Sequence, residues 1–270
     1  MRLLKLHGLG NDFLVLLDDG SLGPVAPERA RALCARRTGV GADGLIRSER
    51  QDEGAIGFEL LNADGSAAEM SGNGSRCLGL AAARAGWWED RRRPLVVRTS
   101  AGERRLDWEG GDLHQASVRV GMGKVAALGR PADFGAPLAA SSWGWMVTVG
   151  NPHAVALIDG KLPPIDELED VLGSIEPGGP NDMNYEFVVR GPEVGALTMV
   201  VRERGAGWTQ ACGTGAVAAA WAAHQQGWVD EVVTVHNPGG SVEVDVSGPE
   251  ASLTGPAVFV ADVDVEGGPR

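Results

Sequence analysis

Two short stretches hold the residues whose types and positions could do chemistry. In 69-EMSGNGSRC-77 the serine Ser71 comes directly before a glycine-bounded turn, and in 210-QACGTGAVA-218 the cysteine Cys212 has the same position. Such a turn at the start of a helix presents backbone N–H groups and the positive end of the helix dipole, which together bind an anion such as a carboxylate. The two stretches therefore predict two anion-binding turns.

The side chain that opens each turn decides what the turn can do. Helix capping is the favoured interpretation for Ser71 alone, whereas it is disfavoured for Cys212, because serine is a good N-cap and cysteine is a poor one. A helix N-terminus stabilises a thiolate, so we expect the pKa of Cys212 to fall from about 8.5 toward neutrality and to make it a base or nucleophile. The other two thiols, Cys34 and Cys77, are expected to be small core residues.

Both stretches belong to an internal repeat. An offset of 141 residues superimposes Ser71 on Cys212. The same register, within one residue, relates three further pairs of segments: 10-GNDF-13 with 150-GNPH-153, 62-NADG-65 with 203-ERGA-206, and 86-GW-87 with 227-GW-228. In each half, an alanine-rich helical stretch ends at the glycine of the last pair, as expected where a glycine in the left-handed conformation ends a helix. Several registers in order at nearly one offset predict a duplication.

The elements around the repeats predict a sheet and one main helix per half. Runs rich in β-branched residues are expected as strands at 94–100, 145–150, 197–203, 231–236, 241–247 and 255–265. A proline opens an outer amphipathic helix at 27–37. We therefore predict an α+β fold of two pseudo-symmetric lobes, each a curved, mostly antiparallel sheet wrapped around a central helix. The expected limits are 1–116 and 117–254, with 255–270 returning to the first lobe.

Composition argues against several classes of protein. The 270 residues include 24 Lys plus Arg and 36 Asp plus Glu, a formal charge of −12, so a nucleic-acid partner is not expected. The sequence has no apolar run of about 18 residues and no signal-peptide core, which favours a cytoplasmic location without a membrane partner. Three cysteines without CxxC spacing argue against a disulfide framework and against a zinc site.

Five motifs together resemble the diaminopimelate epimerase family: 8-GLGNDF-13, 39-GVGADG-44, 62-NADGSAAEMSGNGSRC-77, 150-GNPHAV-155 and 203-ERGAGWTQACGTGA-216. The resemblance implies a two-lobed fold with the site in the cleft and a homodimeric enzyme of lysine and peptidoglycan precursor synthesis. It implies that LL- and meso-diaminopimelate, the small-molecule substrates, are interconverted without pyridoxal phosphate, any other cofactor or a metal. One thiolate would remove the Cα proton from one face, while the opposing thiol delivers a proton to the other.

The resemblance also implies roles for individual residues. Six positions match those that bind the distal amino-acid end of the substrate in the family: Asn11, Asn62, Asn151, Asn184, Glu203 and Arg204. Four match the backbone cradle around the reacting carboxylate: Gly72, Asn73, Gly213 and Thr214. His153 belongs to the family pattern, although a histidine alone more often has a structural role. Arg204 suits a second carboxylate, because its guanidinium can bind both oxygens, and this favours a diacid.

The sequence departs from the family pattern at Ser71, where the family has its first catalytic cysteine. A serine hydroxyl is far less acidic than a thiol, and no neighbouring His or Lys in the local sequence is placed to activate it. Three explanations stay open: an engineered Cys-to-Ser variant that holds substrate without turnover, a natural variant in which Ser71 acts with Cys212, and a paralogue of altered function.

The leading hypothesis is an isomerase with Cys212 as the retained acid–base and Ser71 as a weakened partner. One alternative is a racemase of another amino acid, which a panel of substrates would separate from a diaminopimelate epimerase. The other is a non-catalytic amino-acid binding paralogue, which would bind diaminopimelate without exchanging its Cα proton.

Overall fold

Two units make up the chain, of which a computed structural model describes residues 1–130, 141–174, 183–204 and 206–266. Unit 1 consists of Met1–Gly121 together with Thr254–Arg270, and unit 2 consists of Met122–Leu253. Unit 1 is therefore discontinuous in sequence, because the last described strand of the chain belongs to it.

The two units share one order of main elements: two strands, a helix, three strands, a second helix and two more strands. Unit 1 has an additional 3-10 turn and short strand, and unit 2 has an additional first strand. The elements of unit 1 are β1 (Arg2–Gly8), β2 (Asn11–Asp18), α1 (Pro27–Cys34), β3 (Gly44–Glu49), a 3-10 turn (Asp52–Gly54), β4 (Ile56–Gly57), β5 (Glu59–Asn62), β6 (Ala67–Ala68), α2 (Gly72–Arg84), β7 (Leu95–Thr99), β8 (Gly102–Gly111) and β9 (Gln115–Gly123). Next along the chain come β10 (Ala126–Gly129), β11 (Ser141–Thr148), β12 (Pro152–Ile158), α3 (Ile165–Ser174), β13 (Asn184–Arg190), β14 (Leu197–Glu203), β15 (Gly207–Thr209), α4 (Gly213–Gln225), β16 (Val232–Asn237), β17 (Gly240–Asp245) and β18 (Ala251–Asp264).

Strand pairing repeats as well. In unit 1, β2 is parallel to β3, β3 is antiparallel to β5, and β7 and β8 form a hairpin. In unit 2, β12 is parallel to β13, β13 is antiparallel to β14, and β16 and β17 form a hairpin. The helix that joins each parallel pair is α1 or α3, as a parallel connection requires. The predicted α+β fold of two pseudo-symmetric lobes is confirmed.

Small residues allow α2 and α4 to lie at the centre of their units. All residues of α2 from Gly72 to Ala83 are buried, and a Cβ added at Gly79 would lie 3.0 Å from Leu106 of β8. The glycines after the two helices, Gly86 and Gly227, have φ of +71° and +69°. Both therefore adopt the left-handed conformation that ends a helix, as the repeat predicts.

An arginine stacks on the repeated tryptophan in each unit. Arg50 lies 5.1 Å from the ring centroid of Trp87, and Arg190 lies 4.3 Å from that of Trp228. Each guanidinium also donates a hydrogen bond to a backbone carbonyl at the end of the central helix, that of Gly86 or of Trp228. The two arginines are 140 residues apart. The duplication thus extends to the side chains that hold the end of each central helix.

The outer helices differ from the prediction. Helix α1 ends at Cys34 and not at residue 37, because the chain turns back so that the N–H groups of Val40 and Gly41 bond to the carbonyl of Leu33. Helix α3 is absent from the prediction. The thiols of Cys34 and Cys77 are buried, as expected for core residues. Among the described residues, no helix has the length and apolar character needed to cross a membrane.

Candidate active site

Ser71 caps the central helix of unit 1. Its backbone is extended, with φ −142° and ψ +123°, and its Oγ accepts a hydrogen bond from the Gly74 N–H at 3.0 Å. This confirms the capping expected for a serine. The first turn of a helix directs its backbone N–H groups out of the helix end, where they favour an anion. We call Ser71–Gly74 the unit-1 turn.

Amide side chains of the predicted site meet at the unit-1 turn. Asn73 is buried, and its Nδ2 donates to Asn11 Oδ1 at 3.1 Å. Asn11 in turn donates to Asp43 Oδ2 at 2.9 Å. Asn62, at the end of β5, forms its side-chain hydrogen bond with Ser66 Oγ at 3.0 Å. The structure therefore joins Asn11 and Asn73 directly, whereas Asn62 bonds within its own loop.

Cys212 caps the central helix of unit 2 in the same way. Its backbone is extended, with φ −125° and ψ +117°, and its Sγ accepts a hydrogen bond from the Gly215 N–H at 3.4 Å. The Oγ1 of Thr214 lies 3.5 Å from the same sulfur. The expectation that Cys212 is not a cap is therefore wrong, because its thiol takes the place that a serine hydroxyl has in unit 1. We call Cys212–Gly215 the unit-2 turn.

Two carboxylates oppose ionisation of Cys212. Burial raises the pKa of this thiol well above its usual range, and the negative charges of Glu203 and Glu186 raise it further. The hydrogen bonds from Thr214 and from the Gly215 N–H favour the thiolate, but they are the smaller effects. The predicted fall of the pKa toward neutrality is therefore wrong. Without a ligand, Cys212 is a protonated thiol at neutral pH.

Glu203 is the carboxyl group placed to exchange a proton with that thiol. It hydrogen bonds with Cys212, and burial raises its pKa. Its Oε1 also accepts a hydrogen bond from Thr209 Oγ1 at 2.5 Å, which holds the carboxyl in place. A thiol and a neighbouring carboxylate can pass a proton between them, and a raised carboxyl pKa makes Glu203 a stronger proton acceptor than an exposed carboxylate.

Removal of the Glu203 charge should make Cys212 more reactive. We expect Glu203→Gln to lower the pKa of Cys212 and to increase its alkylation rate by iodoacetamide at pH 8 several-fold, because a repelling charge is lost. Cys34 and Cys77 are replaced by alanine so that only one thiol reacts. The matched control is Glu169→Gln, which alters a carboxylate of unit 2 bonded to Trp208. Equal alkylation rates in both variants would contradict the assigned cause.

A buried histidine and glutamate lie beside the unit-2 turn. His153 and Glu186 are both 0% exposed, and Nδ1 of the histidine lies 2.7 Å from Glu186 Oε1. The other ring nitrogen, Nε2, lies 3.0 Å from Asn151 Oδ1. The chain Glu186, His153 and Asn151 therefore orients a predicted substrate-binding amide from the interior of unit 2.

Gly215 has no room for a side chain. A Cβ there would lie 2.7 Å from Glu186 Oε1 and 3.3 Å from Cys212 Sγ. We expect Gly215→Ala to lower the free energy of unfolding by about 2 kcal/mol, as overpacking does, and to displace the thiol. The control is Gly173→Ala in α3, where nothing lies within 4 Å and alanine should add up to about 1 kcal/mol. Urea unfolding measures both, and a Gly215→Ala protein as stable as the unmodified one would contradict the close contact.

The remaining predicted residues of unit 2 meet at the end of β14. The Asn184 side chain is buried, and its Oδ1 accepts a hydrogen bond from the Arg204 N–H at 3.0 Å. Its Nδ2 donates to the carbonyl of Pro152 at 3.0 Å. Asn184 therefore holds the backbone at Arg204, whose side chain is exposed.

Sequence comparison identifies the family. The profile of the diaminopimelate epimerase family matches residues 3–128 and 145–260. The chain belongs to the diaminopimelate epimerase family. A diaminopimelate epimerase of Stutzerimonas stutzeri (strain A1501) is 35% identical over 292 residues, covering 98% of this chain and 99% of the relative. One from Desulfitobacterium hafniense (strain DSM 10664 / DCB-2) is 38% identical over 280 residues, covering 96% of each.

Solved structures share the fold of this member of the diaminopimelate epimerase family. A predicted epimerase from Pseudomonas aeruginosa superposes with a TM-score of 0.72 at 12% identity, covering 98% of this chain and 99% of that one. A hydroxyproline epimerase from Agrobacterium vitis, with bound trans-4-hydroxy-L-proline, gives a TM-score of 0.69 at 20% identity, covering 98% and 90%. At these identities the likeness shows the fold alone.

The two turns of this diaminopimelate epimerase family member carry opposite buried charges. In unit 1, Arg76 is fully buried and donates to Asn73 Oδ1 at 2.7 Å. The offset of 141 places Val217 at the corresponding position of unit 2, where the nearby charges are instead those of the buried Glu186 and the half-buried Glu203. The charge of Arg76 therefore favours an anion at the unit-1 turn, whereas the two carboxylates beside the unit-2 turn disfavour ionisation of the Cys212 thiol.

Sequence reasoning missed four residues that shape these turns. They are Asp43, Arg76, Glu186 and Thr209. Asp43 lies in the motif 39-GVGADG-44, and its place in a motif of the family resemblance is a signal that was present. Arg76 and Thr209 also lie within family motifs and bond to Asn73 and Glu203, three and six residues away. Glu186 approaches the unit-2 turn only through the tertiary structure, and nothing in its local sequence marks it.

Proposed function

We propose that the protein is a cofactor-independent amino-acid epimerase that interconverts LL- and meso-diaminopimelate by Cα proton transfer. The observation that carries this proposal is the thiol of Cys212, which caps a central helix at the place predicted from the family motif and lies against the half-buried Glu203. The family match over nearly the whole chain supports the substrate. A cytoplasmic location and assembly as a homodimer are part of the same proposal.

The chemical difficulty of the reaction is the weak acidity of the amino-acid Cα–H. Loss of this proton places negative charge on Cα and on the carboxylate attached to it. Donors at a helix N-terminus stabilise such a charge, and they cost no reorganisation because the backbone N–H groups are already oriented. Gly72 and Asn73 supply these groups in the unit-1 turn, and Gly213 and Thr214 supply them in the unit-2 turn.

The protonation state of Cys212 suggests its resting role. As a thiol, Cys212 is ready to deliver a proton to the substrate carbanion, after which Glu203 can help to restore the proton that the sulfur has lost. In the reverse direction the sulfur must first be deprotonated, with Glu203 as the acceptor. Proton transfer at the opposite face of Cα then depends on Ser71, whose hydroxyl is a much weaker acid than a thiol. We therefore propose that this sequence epimerises slowly.

Proton NMR in D2O tests the proposal with LL- and meso-diaminopimelate supplied separately. Loss of the α-proton signal together with appearance of the other isomer supports an epimerase in which Ser71 takes part. Exchange of one stereoisomer without isomerisation shows that Cys212 works alone and that Ser71 has disabled the other half. Binding without any exchange contradicts the proposed activity and leaves an amino-acid binding protein.

A substrate panel completes this test. Free proline, hydroxyproline and lysine are incubated with the protein in D2O under the same conditions. We expect none of them to exchange faster than diaminopimelate, because a second carboxylate is the natural partner of the Arg204 guanidinium. Faster exchange of a monocarboxylate would contradict the assigned substrate while leaving the reaction class intact.

A further inference from the structure

Arg76 is a buried cation whose charge has no carboxylate partner among the residues that the structure describes. Its side chain is 0% exposed, and its Nη1 has no hydrogen-bond partner within that part of the chain. Burial lowers its pKa to about 10, so the guanidinium is still charged at neutral pH. Buried charges in proteins are ordinarily paired, because transfer of an unpaired ion out of water is costly. The charge of Arg76 therefore calls for a counter-charge.

The guanidinium is connected to the predicted site by a directed series of hydrogen bonds. Nη2 of Arg76 donates to Asn73 Oδ1 at 2.7 Å, and Asn73 Nδ2 donates to Asn11 Oδ1 at 3.1 Å. Asn11 Nδ2 then donates to Asp43 Oδ2 at 2.9 Å. Arginine can only donate and a carboxylate can only accept, so the two ends fix the orientation of both amides between them.

This orientation favours a carboxylate as ligand. The Asn11 side-chain amide has two N–H groups and donates one of them to Asp43, so the other can donate to a ligand. The Asn11 Oδ1 already accepts a hydrogen bond from Asn73. The positive end of the α2 dipole and the charge of Arg76 both favour an anion at the same turn. Asp43 accepts a hydrogen bond from Arg36 at 2.6 Å, and Arg36 is shared with Asp12, which also pairs with Lys5. The two cations balance the two carboxylates. In this series of hydrogen bonds, Arg76 is therefore the charge that lacks a counter-charge among the residues that the structure describes.

We propose that Arg76 is a positioning residue whose charge is balanced by a carboxylate of bound diaminopimelate and whose hydrogen bond to Asn73 orients the unit-1 turn for that carboxylate. This inference rests on the proposed function, since it takes the substrate from there. It assigns the anion selectivity of the turn to a side chain that does not itself touch the ligand.

Calorimetric titration with meso-diaminopimelate tests the inference on the full chain. We expect Arg76→Met to weaken binding by at least about tenfold and to remove the rise in Tm that the ligand produces, whereas Arg76→Lys keeps a charge and recovers part of both. The matched control is Arg47→Met. Arg47 is the other buried arginine of unit 1, but it is paired with Asp18, Glu49 and Glu59. Its loss should lower the Tm of the ligand-free protein while affinity changes by less than about threefold.

A second variant keeps the test decisive if Arg76→Met does not fold. Arg76→Gln removes the charge but keeps a side-chain N–H that can donate to Asn73 Oδ1. We expect it to fold and to lose affinity for diaminopimelate at least about tenfold, because the carboxylate of the ligand has lost its counter-charge. A purely structural role of Arg76 predicts instead that a folded Arg76→Gln protein binds as tightly as the unmodified protein, and that result would overturn the inference.

The two proposals fail in different ways. If the unmodified protein neither binds diaminopimelate nor gains Tm from it, the proposed function is wrong and this inference falls with it. If the unmodified protein binds diaminopimelate and a folded Arg76→Met protein binds it equally well, only the inference is wrong.

Discussion

Cys212→Ala is expected to exchange the α-proton of diaminopimelate at least about 10³-fold more slowly than the unmodified protein, because it removes the titrating group at the unit-2 turn. The thiol is the one side chain of that turn that can both accept and deliver a proton near Cα. Glu203 stays in place in the variant, but its hydrogen-bond partner is lost. Exchange is followed by proton NMR in D2O, separately for the LL and meso isomers.

Matched variants separate this effect from a loss of folding. Cys34→Ala and Cys77→Ala each remove a buried thiol of unit 1, and burial raises the pKa of these thiols to about 11 and about 12. We expect both to lose some stability and to keep the exchange rate within about threefold. A Cys212→Ala protein that still exchanges the α-proton at the unmodified rate would remove Cys212 from the mechanism.

Ser71→Cys is expected to raise the rate of epimerisation by about 10² to 10⁴-fold, since it introduces a far more acidic group at the helix N-terminus of unit 1. The surroundings are suited to a thiolate there: the α2 dipole and the buried Arg76 both favour negative charge, and the described residues include no carboxylate bonded to Ser71. Interconversion of LL- and meso-diaminopimelate is measured in both directions.

The control for this substitution is Ser75→Cys on the same helix. Ser75 is fully buried one turn further along α2, so the variant adds a thiol to the same environment without placing it at the helix end. We expect no gain in rate from Ser75→Cys. If Ser71→Cys leaves the rate unchanged, the serine is not what limits the reaction, and the weak step must be sought elsewhere in the chain. If Cys212→Ala in the Ser71→Cys background still epimerises, the two-base mechanism is wrong.

The fold was predictable because the two halves of the sequence still align at nearly one offset. The turns at Ser71 and Cys212 and the glycines after both helices keep one offset, and each of these features has a local physical cause. Helix α3 escaped prediction because 165-IDELEDVLGS-174 is short and carries five acidic or polar positions around a few apolar ones. Its helical state depends on Leu168 packing against the strands of unit 2, which a local pattern does not contain.

The chemistry of the site was predictable only in part. The sequence correctly places Cys212 at a helix N-terminus, where the helix dipole lowers the pKa of a thiol. The local sequence does not contain the effect of Glu186 and Glu203, whose carboxylates raise that pKa. Glu186 comes from β13 and Glu203 from β14, so their approach to the sulfur is a property of the sheet. Charges brought together by tertiary structure decide a buried pKa, and a motif does not record them.

The return of the last strand to unit 1 has a consequence for synthesis on the ribosome. Strand β18 pairs with β1, and the Val265 carbonyl accepts a hydrogen bond from the amino group of Met1, 264 residues earlier. Unit 2 is continuous in sequence, whereas β1 is made first and can pair with β18 only after residues 251–264 have left the ribosome. The carbonyl of Pro256 also holds Arg76 Nε at 3.1 Å. The first anion-binding turn to be translated is thus completed only by the last strand, so a chain truncated before residue 256 would lack both the partner of β1 and the carbonyl that holds Arg76.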